Sequence, residues 1–374
     1  MKISVLKERR AGETRVAATP ETVKKLVGLG HTVTIESGAG TVAGFPDSAF
    51  TEAGAAIAAG TAAATGADIV FKVRRPEPAE IASLPEGAAL IALMEPFAYP
   101  ADEVAALNAR KIAGLSMEFT PRITRAQSMD ALSSQSNLAG YRAIIEGAQI
   151  YGRAMPMMMT AAGTVAPAKV FVMGAGVAGL QAIATARRLG AVVTANDVRP
   201  AAKEQVASLG AKFIAVEDEE FKAAETAAGY AKEMSPEYQA KQAALTASHI
   251  AKQDIVITTA LIPGRAAPVL ITEAMVHSMK PGSVIVDMAV SQGGNCPLSK
   301  ADEVVDVNGV KVAGFSNLPA RLPADSSSLY AKNLLAFLPL ITGEGGKLNL
   351  DTDDEIVKAM LLTRNGATVS ERLK

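Results

Sequence analysis

The apolar run Lys169–Met173 leads into Gly174-Ala175-Gly176-Val177-Ala178-Gly179, a G-x-G-x-x-G spacing that opens a helical stretch reaching Leu189 and Gly190. Each glycine has a task if a pyrophosphate binds here. Gly174 allows the tight turn, Gly176 lets the backbone approach the phosphates, and Gly179 lets helix and strand pack closely; the N–H groups of Val177 and Ala178 begin a helix whose positive end attracts the anion. A second apolar strand ends at Asp197, about 20 residues further on, where a carboxylate reaches the adenosine ribose hydroxyls. Its charge repels a 2′-phosphate, so the pattern favours NAD(H) over NADP(H). Arg199 complicates this, since a guanidinium there either binds such a phosphate or is a solvated surface charge. Thr258-Thr259-Ala260-Leu261-Ile262-Pro263-Gly264 follows another apolar strand and is expected to set small residues and backbone groups beside the nicotinamide half. The plain alternatives are a glycine-rich turn in a vacant α/β domain and an ordinary strand-to-loop turn.

Other chemistries find little support. The single cysteine, Cys296, has no partner for an intramolecular bridge, and His31, His249 and His277 lie far apart, so no metal site is expected. Lys plus Arg number 37 against 38 for Asp plus Glu, a formal net charge of -1, which gives no reason to expect nucleic acid as a partner. With 49% hydrophobic and 20% charged residues the chain reads as globular, and its 374 residues suggest two sizeable cores. The N-terminus MKISVLKERR is charged where a secretion signal would be apolar, so a cytoplasmic chain is expected. The uncharged stretch 154–168 is too short to span a bilayer and holds Pro156, Gly163 and Pro167, so no transmembrane segment is expected.

The elements that must position the glycine loop form two series of βαβ units. The first has strands over 3–6, 32–35, 68–73, 88–93 and 112–117, with a helix capped by Thr19, started by Pro20 and closed by Gly30. The second has strands over 169–173, 192–195, 213–216, 254–258 and 283–287, then a hairpin at Asn308-Gly309 between 304–307 and 310–313. The expected fold is α/β: two Rossmann-like domains with mostly parallel sheets, linked by two long helices across a cleft. We assign 1–125 plus 340–374 to an N-terminal Rossmann-like domain, 126–147 and 325–339 to the linking helices, and 148–324 to the NAD(H)-binding domain.

Several motifs carry a resemblance. Lys7-Glu-Arg-Arg-Ala-Gly-Glu-Thr-Arg15-Val-Ala, Phe71-Lys-Val-Arg-Arg-Pro76 and the fingerprint at 174–179 resemble the alanine dehydrogenase and transhydrogenase superfamily. Pro121-Arg-Ile-Thr-Arg-Ala-Gln-Ser-Met-Asp130 and Met157-Met-Met-Thr-Ala-Ala-Gly-Thr164 resemble the NAD(H)-binding alpha subunits of proton-translocating NAD(P) transhydrogenases. That resemblance implies direct, stereospecific (Si/Re) hydride transfer between NADH here and NADP+ on a partner subunit, coupled to proton movement by a membrane proton-channel subunit. It implies a homodimer, a cytoplasmic location and peripheral association with the inner face of the cell membrane through those partners. Arg122, Gln127 and Asp130 match the family's Arg-Gln-Asp loop, with Ser133 a turn later. Asp130 and Ser133 would hold the nicotinamide carboxamide with help from Arg122, and Gln127 would reach the ribose of the partner's nucleotide. The residues alone also fit a polar helix start with Asp130 as a capping acid. The acidic run 217–234 matches the family's mobile loop, in which Tyr230 would fold over bound nucleotide. An amino-acid dehydrogenase is the rival reading, with Arg15 available for a substrate carboxylate. However, alanine dehydrogenases carry a lysine where this chain has Arg74, and a histidine in the next strand segment where 90–99 has none, which makes Arg15 a structural ion-pair partner on this reading. A non-catalytic NAD(H)-binding module is the third alternative.

Overall fold

A computed structural model describes residues 1–222 and 234–373. The chain divides into two units, Met1–Gln135 with Pro319–Lys374, and Ser136–Leu318.

Among the described residues the first unit holds an eight-stranded sheet in the order Ala367–Thr368, Leu361–Arg364, Ala113–Ser116, Ala89–Leu93, Ile69–Arg74, Lys2–Val5, Thr32–Glu36, Ala56–Ala58. The six strands from Ala113–Ser116 to Ala56–Ala58 run parallel, and the C-terminal pair is antiparallel. Their alternating side chains enter different cores: Ile69, Phe71, Val73 and Ile91 pack on one face, Val70, Leu90 and Ala92 on the other. Continuous apolar strands are what a sheet covered on both faces requires. The helix Pro20–Gly28 starts as its sequence dictates, with the Thr19 hydroxyl accepting from the Thr22 amide at 3.3 Å and Pro20 in the first turn.

The second unit repeats this plan. Its seven-stranded sheet has the order Lys212–Phe213, Val192–Asn196, Lys169–Met173, Ile255–Thr258, Val284–Asp287, Val310–Gly314, Glu303–Val307, parallel except for the last hairpin. Asn308 (φ 52°) and Gly309 (φ 85°) both take the left-handed backbone that this two-residue hairpin needs. In each unit the chain winds outward one way, then returns to add strands on the other side. The switch points lie between Lys2–Val5 and Ile69–Arg74, and between Lys169–Met173 and Ile255–Thr258. Ligands of such sheets bind outside the carboxyl ends of the strands at those points.

Three expectations need correction. The helix expected from 126 runs Ala131–Tyr151, because Thr124–Met129 is wound in tighter 3-10 turns that end where Asp130 caps the helix. The strand expected over 213–216 pairs only at Lys212–Phe213; the Val216 amide turns away to donate to Gln242 Oε1 at 2.9 Å. The helix expected from 325 starts at Pro323 and lies wholly in the first unit, its buried face (Tyr330, Leu334, Phe337) forming part of that unit's core rather than a link. Of the described helices, none is long and apolar enough to cross a membrane.

Candidate functional site

The glycine loop sits at the second unit's switch point. Gly174 has φ 102°, and a Cβ there would lie 2.4 Å from Thr259 Oγ1. A Cβ on Gly179 would lie 1.8 Å from the Gly174 carbonyl oxygen, so helix and turn touch backbone to backbone. Gly176 is different, since a Cβ there would meet nothing within 4 Å. The helix Val177–Arg188 begins just after it, and no side chain caps the exposed amides of its first turn. An open face above uncapped helix amides is the cradle a pyrophosphate needs, so these residues fit a dinucleotide.

Asp197 lies under the turn. Its Oδ2 accepts from the Ala175 amide at 2.7 Å, and its Oδ1 accepts from the Arg199 amide and Arg199 Nε, both at 2.9 Å. Arg199 also donates to the Ala175 carbonyl at 3.2 Å. The arginine therefore neutralises Asp197 and ties both residues to the glycine turn, an arrangement the two opposing sequence readings of Arg199 did not include. Thr259 braces the same turn by donating from Oγ1 to the Gly174 carbonyl at 3.2 Å. Beyond it, Leu261 and Ile262 are exposed, as are Val177 and Val198 at the same end of the sheet. Apolar side chains left facing solvent around a polar turn suit flat rings.

Sequence reasoning missed Asn295. It is fully buried and clamps the loop after Ile255–Thr258: its Oδ1 accepts from the Ala260 amide at 3.2 Å, while Nδ2 donates to the carbonyls of Ala260 (2.9 Å) and Pro268 (2.8 Å). It also missed the buried Asp287, which accepts from Thr258 Oγ1, the Ala289 and Cys296 amides and Ser299 Oγ. The available signal was Gly293-Gly294, both at positive φ, just before Asn295.

Apart from Tyr230, the remaining predicted residues lie in the first unit. Asp130 Oδ1 accepts from the Ser133 amide at 2.9 Å and Oδ2 from Ser133 Oγ at 2.5 Å, so the two are joined as a helix cap. Arg122 and Gln127 are exposed and make no side-chain hydrogen bond among the described residues. Tyr230 lies outside the described residues. Arg15 is buried and ion-paired: Nε and Nη2 donate to Glu13 at 2.7 and 2.6 Å, and Nη1 donates to Gln135 at 2.8 Å. Among the described residues no group of three potential metal ligands occurs.

Comparison with known proteins adds an independent line. Residues 4–139 match the family model described as alanine dehydrogenase/PNT, N-terminal domain, and residues 143–371 match its C-terminal counterpart. The chain is 57% identical over 380 residues to an NAD(P) transhydrogenase subunit alpha of Rhodospirillum rubrum, covering 100% of this chain and 99% of that one. A solved transhydrogenase structure from Sinorhizobium meliloti superposes with TM-score 0.91 at 54% identity, covering 99% of this chain and 100% of that one. Identity to the alanine dehydrogenase of Halomonas elongata is 31% over 369 residues, 96% of this chain and 92% of that one.

Proposed function

The chain belongs to the alanine dehydrogenase/transhydrogenase family as a member of the transhydrogenase alpha subunits, and on that footing we propose that it binds NAD(H) and exchanges a hydride directly with NADP(H) held by a partner subunit. The observation that carries the cofactor half of this reading is the Gly176 cradle: open space above uncapped helix amides, with the Asp197 carboxylate latched beneath. The bound dinucleotide supplies the hydride donor or acceptor carbon; the protein supplies position. Direct transfer between two nicotinamide rings needs no general acid or base, so the residues act by holding geometry and excluding water.

Asp197 orients the adenosine ribose, and by holding the Arg199 guanidinium it keeps that cation from a 2′-phosphate. Thr259, Ala260 and Leu261 line the nicotinamide half. Asp130 and Ser133 hold the carboxamide: their mutual hydrogen bond fixes the carboxylate and leaves further lone pairs to accept from an amide NH2. Arg122 assists them, and Gln127 reaches the partner's nucleotide. Coupling to proton movement then belongs to membrane subunits, to which a homodimer of this chain docks on the cytoplasmic face. Arg15 has its charge paired with Glu13 and its Nη1 on Gln135, a structural ion-pair role that speaks against amino-acid oxidation.

The test mixes the chain with an NADP(H)-binding partner domain and follows reduction of an NAD+ analogue by NADPH. Transfer is expected in the mixture and in neither component alone. Turnover of alanine with NAD+ alone would contradict the proposal, and so would an inactive mixture.

A further inference from the structure

Gln127 is exposed and its side chain makes no hydrogen bond among the described residues, so only its backbone can aim it. That backbone belongs to the 3-10 turns Thr124–Met129, whose hydrogen-bond geometry is poorer than an α-helix's and holds direction weakly. The bond that closes them, from the Asp130 amide to the Gln127 carbonyl, is 3.3 Å long. Ala126 and Met129, three residues apart, are buried in the first unit's core and turn Gln127 and Ser128 outward between them.

A polar contact stands between these two apolar anchors. Asn333, buried on the helix Pro323–Phe337, donates from Nδ2 to the Ser128 carbonyl at 2.8 Å and accepts on Oδ1 from Ser134 Oγ at 2.8 Å. A carbonyl can only accept, so the Ser128 contact dictates which way the amide faces and makes Ser134 the donor on its other side. Ser134 Oγ accepts in turn from Gln135 Nε2 at 3.3 Å, and the same nitrogen donates to the Ser326 carbonyl at 3.1 Å. Asn333 therefore ties the 3-10 turns, the start of the helix Ala131–Tyr151 and its own helix together at one point. Arg125 also reaches out of these turns, with Nη1 donating to Asp354 Oδ2 at 2.6 Å, but that arginine is half in water and holds more weakly.

We infer that Asn333 is a positioning residue for hydride transfer: by holding the Ser128 carbonyl it sets the direction in which the adjacent Gln127 leaves the loop towards the partner's nucleotide. Asp130 depends on it less, because Ser133 fixes its carboxylate and the Ser134 amide donates to its carbonyl at 3.2 Å. Loss of the Asn333 amide thus costs transfer and spares NADH binding. The effect on rate rests on the proposed hydride transfer; the hold on the loop does not, and is read without nucleotide.

Asn333→Ala removes the amide and leaves no orphan donor, because Ser134 Oγ also reaches the Ala131 carbonyl at 3.1 Å, so the thermal midpoint is expected to fall by less than about 4 °C. Mixed with the NADP(H)-binding partner, the variant is expected to transfer hydride in a single turnover about tenfold more slowly or worse, with the half-saturating NADH and partner concentrations unchanged within about twofold. Added to Gln127→Asn, the same change is expected to slow transfer little further, because both act on one side chain. In the nucleotide-free chain, hydrogen exchange followed by mass spectrometry is expected to run about tenfold faster at amides 126–130 and unchanged in the strand Lys2–Val5. Transfer at the parent rate, a loss of NADH affinity as large as the loss of rate, two rate factors that multiply, or unchanged loop exchange would each overturn the inference. If the parent mixture itself is inactive, the proposed function falls; faster loop exchange then still supports the clamp, and unchanged exchange overturns it. If Asn333→Ala does not fold, Ser134→Ala removes the hydroxyl that orients the Asn333 amide and is read by the same outcomes.

Discussion

Replacing Gly176 by alanine separates what the glycine loop does for a nucleotide from what it does for the fold. Gly176 has φ −74° and ψ −169°, which any residue adopts, and a methyl group there meets no atom within 4 Å. Two small effects on stability oppose each other. Restricting the unfolded chain stabilises by about 0.4–1 kcal/mol, and alanine is a poorer helix cap than glycine by about 0.5 kcal/mol. The thermal midpoint is therefore expected to move by less than about 3 °C. The same methyl stands over the uncapped amides. Pushing a pyrophosphate back by that width forfeits at least one charge-assisted hydrogen bond, about 1.5–3 kcal/mol, or about 10- to 150-fold in NADH affinity. Gly179→Ala behaves differently, because its Cβ would sit 1.8 Å from the Gly174 carbonyl oxygen and force backbone apart. Overpacking of that kind costs about 1–3 kcal/mol or more, so stability and binding fall together. Fluorescence titration with NADH and a thermal scan on the same preparations provide the assay. If Gly176→Ala binds NADH as the parent does, the loop is not a pyrophosphate site and the cofactor reading falls.

Asp197→Asn releases the Arg199 guanidinium and is expected to weaken NADH about tenfold while improving NADPH relative to it; titration of both nucleotides checks this, and unchanged selectivity removes Asp197 as the ribose ligand. Gln127→Asn, one methylene shorter at an exposed position, is expected to leave NADH affinity unchanged while slowing single-turnover transfer by up to about a hundredfold, whereas Asp130→Asn loses both because it also loosens the Ser133 cap. Burial pushes the Glu8 carboxyl up to about 7 from 4.5, against the pull of Lys72. A folded value above the unfolded one favours the fold while Glu8 is protonated: that stability is fully present below about pH 4.5 and is lost as pH rises towards 7, so Glu8→Gln flattens the pH–stability profile across this window. Light scattering at micromolar concentration is expected to show a dimer, and a monomer would remove the assembly proposed above.

What was legible in the sequence is what local geometry dictates. The three glycines could be assigned separate tasks because a positive φ, an open face and a backbone contact each exclude a side chain for its own reason. Thr19-Pro20 and Asn308-Gly309 fix a helix start and a turn within a few residues. A second such turn, Asn365-Gly366, is hard to see in the sequence because the strands it joins, Leu361–Arg364 and Ala367–Thr368, are too short to show alternation. Asp130 reads equally as cap and as site residue, and the cap alone is visible in its hydrogen bonds. The ion pairs of Arg10, Arg74 and Arg75 with Glu95 and the Asn295 clamp were invisible for another reason. Their partners come from different strand ends, and no spacing along one chain segment encodes that convergence.

The central claim is direct hydride transfer between two nucleotides, and isotopic labelling tests it most closely. The chain, its NADP(H)-binding partner and NADP+ are mixed in ordinary water with NADH carrying deuterium at the transferred C4 position, and the NADPH formed is examined by mass spectrometry. Full retention of deuterium in NADPH, with none released to water, is the predicted result. NADPH carrying hydrogen from water would contradict direct transfer and point to an intermediate carrier that exchanges with solvent.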